Sequence, residues 1–123
     1  MKYALLVFIG GGLGSLFRYA FEKIFKIFST VYPINTFIVN IIGCILVGFL
    51  IGYSLKSNTT NENQNLLLIT GFCGGFTTFS AFAAENYMFL KSGDYMYFFS
   101  YVIASIFLGI VGVLAGILIS KQL

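Results

Sequence analysis

The residues with the clearest chemical potential lie in one glycine- and hydroxyl-rich segment, residues 71–82, which reads GFCGGFTTFSAF. Its glycines, together with Thr77, Thr78 and Ser80, weaken a continuous helix, so we expect a break here. Carbonyls released by a break can coordinate a small cation, and hydroxyl groups can donate to an anion. The alternative is a glycine face for close helix packing. The segment alone therefore predicts either an ion-contacting interruption or a packing surface.

Two aromatic side chains follow directly. Phe79 and Phe82 are three residues apart, which places both rings on one face of a resumed helix. Ring edges are electropositive, so edges turned toward a pathway would attract an anion weakly enough to let it leave. The chain contains 15 Phe, however, and a Phe pair in a membrane helix usually faces lipid or packs. Both roles stay open from the residues alone.

Isolated polar residues in other apolar stretches are the remaining candidates. Asn40 lies inside FIVNII, where an amide facing lipid would leave its donors unsatisfied, and Thr36 precedes it on the same helical face. Interhelical hydrogen bonding and an ion pathway both account for them. Arg18 either reaches the membrane surface or lines an aqueous vestibule that concentrates anions. Glu85 and Tyr101 are polar groups of equally open role.

The elements that must position these residues follow from composition. The chain has 123 residues, of which 59% are hydrophobic and 9% charged, too few polar residues for a soluble globule. Because a helix crosses the bilayer with about 20 apolar residues, the length allows four spans. The predicted spans are residues 3–28, 34–55, 66–90 and 95–120. We therefore predict an all-α membrane protein, residues 1–123 forming one four-helix transmembrane domain, with the third helix broken at mid-membrane.

Several classes of protein are not expected. The chain has no His, which removes the commonest general base and metal ligand and argues against an enzyme. Cys44 and Cys73 lie in apolar runs, so a disulfide is not expected. The seven basic residues are scattered, which argues against nucleic acid as a partner.

Lys and Arg in short loops normally orient a membrane protein, and here they are nearly balanced. One side of a four-span chain would display Lys2, Lys56 and Lys121, and the other Arg18, Lys23, Lys26 and Lys91. This pattern is typical of a dual-topology protein. The alternative is a single orientation with the first-loop side in the cytoplasm.

Glycines four residues apart recur on three predicted helices and allow close approach of backbones. The pairs are Gly10 and Gly14, Gly48 and Gly52, and Gly112 and Gly116. Four helices packed this tightly enclose little interior, so we expect two copies to assemble.

Three motifs resemble the small bacterial fluoride channels known as Fluc or CrcB, over essentially the whole chain. They are GGLGSLFRY at residues 11–19, NTFIVNIIG at residues 35–43, and residues 71–82. The resemblance implies a passive channel in the bacterial inner membrane that exports cytoplasmic fluoride for fluoride resistance, built as an antiparallel, dual-topology homodimer. Two positions depart from the family pattern: Ala81, where many relatives have Thr, and Asn35, where Gly is usual.

The resemblance also implies roles for individual residues, divided among a cation site, an anion path and an entrance. Backbone carbonyls of Gly74 and Thr77 would hold a structural sodium ion at the dimer centre. Phe79 and Phe82 would line the anion path, and its hydrogen-bond donors would be Asn40, Ser80 and Thr36. Arg18 would lie near the aqueous entrance, and the weaker assignments are Tyr101 and Glu85.

Two other functions fit a chain of this kind. A proton-coupled small multidrug exporter is also a four-span, dual-topology dimer, but it needs a carboxylate near the middle of a helix. Glu85, the one acid well inside a predicted span, lies nearer the end of that span than its centre. A structural assembly subunit without transport is the other alternative.

Overall fold

The computed structural model describes residues 1–28, 32–58 and 61–123, which are almost entirely helical. The elements are α1 (Lys2–Ile24) with a 3-10 turn (Phe25–Phe28), α2 (Ile34–Lys56), α3 (Glu62–Gln64), a π-helix (Asn65–Cys73), α4 (Gly74–Phe76), α5 (Phe79–Ser92) and α6 (Tyr95–Gln122). The short α3, the π-helix and α4 follow one another directly, and α5 resumes the helix after two extended residues.

Among the described residues, four helical stretches are long and apolar enough to cross a membrane. They are Lys2–Phe28, Ile34–Lys56, Glu62–Ser92 and Tyr95–Gln122. The third span begins earlier than the predicted residue 66, because the Asn61 side chain accepts a hydrogen bond from the Asn63 amide and starts a helix there. Residues 59 and 60 of the polar loop predicted before this span lie outside the described residues.

The third and fourth spans are joined by a tight turn at Gly93. This glycine has φ +78°, a left-handed conformation that costs glycine little. The Gly93 amide donates to the Leu90 carbonyl and the Asp94 amide donates to the Phe89 carbonyl, which satisfies the end of α5. The turn places α6 beside α5 with the opposite chain direction.

α1 packs along the first half of the third span through glycine. A Cβ on Gly10 would overlap the Leu67 carbonyl, and one on Gly14 would overlap the Phe72 carbonyl. The later residue of α1 meets the later residues of the third span, so the two helices run parallel. Only glycine fits at these positions, because the two backbones are in contact.

α2 and α6 form a second parallel pair of the same kind. A Cβ on Gly48 would overlap the Val113 carbonyl, and a Cβ on Gly116 would overlap the Ile45 carbonyl. All three predicted glycine pairs therefore lie at helix contacts, and the third span supplies the partner surface for Gly10 and Gly14. The interior of one chain is correspondingly small, and its buried apolar residues are Val39, Cys73, Phe76, Phe89 and Tyr101.

Replacing Gly14 by Ala should destabilise the protein, because the added Cβ meets backbone atoms of the third span that cannot rotate away. We expect the free energy of unfolding to fall by about 1–3 kcal/mol, as overpacking usually costs. Denaturant unfolding in detergent, followed by circular dichroism, measures it. The matched control is Gly12→Ala, whose Cβ meets nothing within 4 Å and should leave stability unchanged or raised. Equal stability of the two variants would contradict this packing.

Candidate ion site at an interrupted helix

The third span leaves helical geometry at two residues, Thr77 (φ −81°, ψ 158°) and Thr78 (φ −145°, ψ 114°). We call these two residues the interruption. The glycines of the segment remain helical, although the sequence suggested that they would weaken the helix. They stay helical because α1 packs on them: a Cβ on Gly75 would overlap the Gly11 carbonyl. Packing and interruption are therefore both present, at neighbouring residues.

A side chain from α2 pairs with the extended backbone. Oδ1 of Asn40 accepts a hydrogen bond from the Thr78 amide at 2.8 Å, and Nδ2 of Asn40 donates to the Thr78 carbonyl at 3.1 Å. Asn40 thus supplies the acceptor that the helix no longer provides for the Thr78 amide, and it adds a second donor to the Thr78 carbonyl, which as the N-cap carbonyl also accepts the first bond of α5. Asn40 points into the protein, as its position in an apolar run indicated.

Thr78 also starts the next helix. Its Oγ1 accepts a hydrogen bond from the Ala81 amide at 3.2 Å, the usual N-cap arrangement. The exposed Ser80 hydroxyl lies 3.3 Å from the same Thr78 oxygen. The Thr77 and Thr78 hydroxyl groups are therefore both bonded to backbone groups, Thr77 to the Cys73 carbonyl and Thr78 to the Ala81 amide.

These bonds affect the carbonyls of Gly74 and Thr77, which the family resemblance assigns to a cation. In a continuous helix, the Thr78 amide would bond to the Gly74 carbonyl and the Ala81 amide to the Thr77 carbonyl. Both amides instead donate to side-chain oxygens, so both carbonyls lose their helical partners. Gly74 is exposed and Thr77 is half-buried.

The two predicted aromatic residues lie beside the interruption. The Phe79 and Phe82 rings have centroids 5.8 Å apart, and the Phe82 ring lies 5.0 Å from that of Tyr101. Phe79 is 79% exposed. Both rings face an open pocket of about 350 Å³, here called the apolar pocket. It is lined by Asn40, Gly43, Cys44, Val47, Thr77, Thr78, Phe79, Phe82, Ser105, Ile106 and Val113.

A larger cavity of about 730 Å³, here called the polar cavity, opens toward the end of α1 that carries its charges. Its charged and amide-bearing lining residues are Arg18, Glu22, Lys23, Lys26, Asn35 and Glu85. Thr36 and Ala81 also line it, so it extends toward the interruption. Arg18, which was predicted to lie near an aqueous entrance, lines this cavity.

Glu85 joins two of the predicted site residues. Thr36 donates its hydroxyl proton to one Glu85 oxygen at 2.5 Å, and Tyr101 donates to the other at 2.7 Å. Both donors are buried, with exposed fractions of 5% for Thr36 and 0% for Tyr101. Because a hydroxyl has one proton to donate, Thr36 can serve another acceptor only when this bond opens.

Sequence reasoning missed Ser105. Its hydroxyl oxygen is buried and has no hydrogen-bond partner among the described residues, and it lines the apolar pocket beside Asn40 and Phe82. The available signal was its spacing: Ser105 follows Tyr101 by four residues, which places both on one face of α6. The structure therefore brings Asn40, Thr77, Phe79 and Phe82 together at one pocket, and Arg18, Thr36 and Glu85 at the other.

Four spanning helices define a multi-pass membrane protein. The CrcB-like protein family, described as Camphor Resistance (CrcB), matches residues 5–117, and the chain belongs to this family. The membership indicated by the three sequence motifs is thereby confirmed.

Several relatives cover the whole chain and carry the name Fluoride-specific ion channel FluC. The protein of Azobacteroides pseudotrichonymphae is 43% identical over 122 residues, covering 98% of each chain. That of Phocaeicola vulgatus is 49% identical over 123 residues, covering 98% of this chain and all (100%) of the relative. That of Flavobacterium psychrophilum is 42% identical over 124 residues, covering 100% of each.

Replacing Asn40 by Leu should destabilise the protein, because the Thr78 amide would lose its acceptor and the Thr78 carbonyl would lose its second donor. The unsatisfied amide costs about 1–3 kcal/mol in the free energy of unfolding. Hydrogen–deuterium exchange at the Thr78 amide should accelerate in parallel.

The matched control is Asn86→Leu. Asn86 is also a buried helix asparagine, but its Oδ1 has no partner among the described residues, and its Nδ2 donates at 2.9 Å to the Phe82 carbonyl of its own helix, so Leu there should be neutral or stabilising. Equal destabilisation by the two substitutions would show that the Asn40 hydrogen bonds to Thr78 make no particular contribution to the free energy of unfolding.

Proposed function

We propose that the chain is a fluoride-selective channel of the bacterial inner membrane, which exports cytoplasmic fluoride passively and gives fluoride resistance. Relatives named as fluoride-specific ion channels, 42–49% identical over nearly the full chain, support this function. An ion channel carries out no covalent chemistry, so we expect no enzymatic activity.

The observation that carries the proposal is the interruption of the third span, which adjoins an exposed surface of the single chain. Backbone groups without helical partners cannot face hydrocarbon, because nothing in lipid replaces their hydrogen bonds. Gly74, whose carbonyl has lost its helical partner, nevertheless lies on the surface of the single chain, as do Phe79 and Ser80. A second copy placed against this surface would shelter the interruption at mid-membrane.

The second copy is expected to run antiparallel to the first. The nearly equal numbers of basic residues on the two sides give little orienting instruction, so both orientations would be inserted. A two-fold axis through the interruption would bring both copies' freed carbonyls together.

A structural sodium ion suits this centre. The carbonyls of Gly74 and Thr77 are hard oxygen donors without helical partners, and two copies would supply four of them. No group of three or more His, Cys, Asp or Glu that could hold a metal occurs among the described residues. A cation there would also lower the cost of burying an anion nearby.

The anion path would follow the apolar pocket. Phe79 and Phe82 would offer electropositive ring edges, and Asn40 keeps one Nδ2 hydrogen beyond the one given to Thr78. Ser80, Thr36 and Tyr101 carry further hydroxyl groups along the path, and Arg18 lies at its polar entrance. These groups would replace part of the water shell of fluoride.

No energy source is needed for this export. Fluoride that enters as neutral hydrofluoric acid ionises in the more alkaline cytoplasm and is trapped as the anion. A membrane potential that is negative inside drives anions outward through a selective path.

Purified protein in liposomes should release fluoride in an electrogenic manner, with chloride released at least about a hundredfold more slowly if the donors select by replacing the water shell. Phe82→Ile should reduce fluoride flux by about tenfold or more, because the ring edge is lost. A fluoride electrode measures the release. The control is Phe8→Ile, a residue that is 78% exposed on α1 and should leave flux unchanged.

Collapse of a proton gradient separates the channel from a proton-coupled multidrug exporter. Channel flux should continue when the gradient is removed, whereas exporter flux should stop. If the Phe82→Ile variant and the Asn40→Asp variant each gave normal fluoride flux, these residues would line no pathway. If the wild type gave no flux, the chain would be a structural subunit.

Sodium should be required for the assembled channel. Protein purified and reconstituted in N-methylglucamine instead of sodium should lose most of its flux and dissociate more readily to single chains, because the freed carbonyls would repel one another. Chemical cross-linking measures the dimer and the electrode measures the flux. Potassium serves as the control for ionic strength. Full activity and dimer content without sodium would contradict the cation site.

A further inference from the structure

A third carbonyl released by the interruption is already occupied by side chains of α1. In a continuous helix the Gly75 carbonyl would accept the Phe79 amide, but α5 starts at Phe79 after the two extended residues. Nε of Arg18 donates to this carbonyl at 3.2 Å, and the Ser15 hydroxyl donates to it at 3.4 Å. The end of the first half-helix is thus satisfied from a neighbouring helix.

The register of α1 makes this contact possible. A Cβ on Gly14 would overlap the backbone of the third span, and Gly11 touches Gly75 directly. Arg18 follows Gly14 by four residues, which keeps it on the same helical face. The glycine contacts therefore bring the guanidinium to the interruption, where its side chain is 30% exposed.

The charge of Arg18 suits this position. The carboxyl end of a helix carries a partial negative charge, which a cationic donor stabilises. Gly74 is exposed on one side of α4, whereas Gly75 is half-buried beneath α1. The two carbonyls therefore have separate partners available: Arg18 for Gly75, and the proposed sodium ion for Gly74.

Arg18 is poorly placed to act mainly as a collector of anions in the polar cavity. Its Nε is bound to Gly75, and its Nη1 lies 3.9 Å from a Glu22 oxygen, which offsets its charge. Lys23 lines the same cavity and is exposed. A free cation such as this one is the better source of positive potential for entering anions.

We propose that Arg18, assisted by Ser15, is a positioning residue that fixes the end of α4 through the Gly75 carbonyl, so that the neighbouring Gly74 and Thr77 carbonyls are held in place for the cation. The proposal rests on the sodium site proposed above. It assigns Arg18 a role in cation binding in place of the entrance role that its position in the polar cavity suggests.

The experiment compares Arg18→Gln with Lys23→Gln, which remove the same charge from the same cavity. Fluoride efflux from liposomes is measured at about 0.1 M and about 1 M ionic strength, since the higher salt screens a long-range charge effect. The sodium concentration that gives half-maximal flux is measured for each variant. We expect Arg18→Gln to lose about tenfold or more of its flux at both ionic strengths, and to need about tenfold more sodium.

Lys23→Gln should reduce flux by no more than about threefold at low ionic strength, should match the wild type at high ionic strength, and should have an unchanged sodium requirement. The proposal is overturned if Arg18→Gln behaves like Lys23→Gln, with a salt-screened loss and an unaltered sodium requirement. If the wild type conducts fluoride without any sodium dependence, the sodium site itself is wrong and the positioning role falls with it, while the channel function stands.

Ser15→Ala keeps the test decisive if Arg18→Gln does not yield folded dimer. This variant removes the second donor to Gly75 without a change in charge, so the sodium requirement should rise by about threefold with no dependence on ionic strength. The control is Ser92→Ala, whose hydroxyl bonds to the Met88 carbonyl at the far end of α5. An unchanged sodium requirement for Ser15→Ala would then refute the proposal.

Discussion

The paired hydrogen bonds between the Asn40 side chain and the Thr78 backbone are the interaction on which the rest of the site depends. A helix in a membrane normally satisfies every amide and carbonyl within itself, and two extended residues break that rule. An asparagine can bond to both groups of one residue because its side chain repeats the donor and acceptor of a peptide group. Here its oxygen accepts from the Thr78 amide at 2.8 Å, which replaces the lost helical acceptor, and its nitrogen donates to the Thr78 carbonyl at 3.1 Å. The Thr78 hydroxyl is then used to cap α5 at Ala81, and the two halves of the span keep their relative position.

Around this pairing, three sides of the interruption have different surroundings. α1 approaches it through glycine and satisfies the Gly75 carbonyl, while α2 approaches it through Asn40. The third side carries the exposed Gly74 and Phe79. The glycines and the threonines therefore have separate tasks: glycine permits backbone contact on the α1 side, and the threonines end the helix. A chain that satisfies its own groups on two sides and leaves Gly74, whose carbonyl has no helical partner, exposed on the third is incomplete alone, which is the physical basis of the proposed assembly.

The sequence predicted some of these features and could not predict others. The spans follow from the length of apolar runs, so their ends differ from the structure by a few residues. Asn40 could be assigned to the interior because an amide facing lipid is costly. The position of the interruption could not be assigned from propensity, because Gly74 and Gly75 stay helical, with Gly75 packed under α1, while the two threonines become extended. The Thr36 and Tyr101 bonds to Glu85 join residues 49 and 16 positions apart, and such contacts depend on helix register that composition does not fix.

The donors in the proposed pathway are already engaged by the protein, and this governs how tightly an anion can be held. Asn40 retains a single free hydrogen, Thr36 gives its proton to Glu85, and Ser80 lies beside the Thr78 hydroxyl. A site of fully free donors would bind fluoride strongly and release it slowly, whereas conduction requires binding that is easily reversed. Apart from the free Asn40 hydrogen, each of these donors given to an entering ion is taken from an existing contact, so the net gain is small. The ring edges of Phe79 and Phe82 add weak attraction for an anion without the full charge of Lys or Arg. Cationic side chains line the polar cavity, and the described lining of the apolar pocket includes no Lys or Arg.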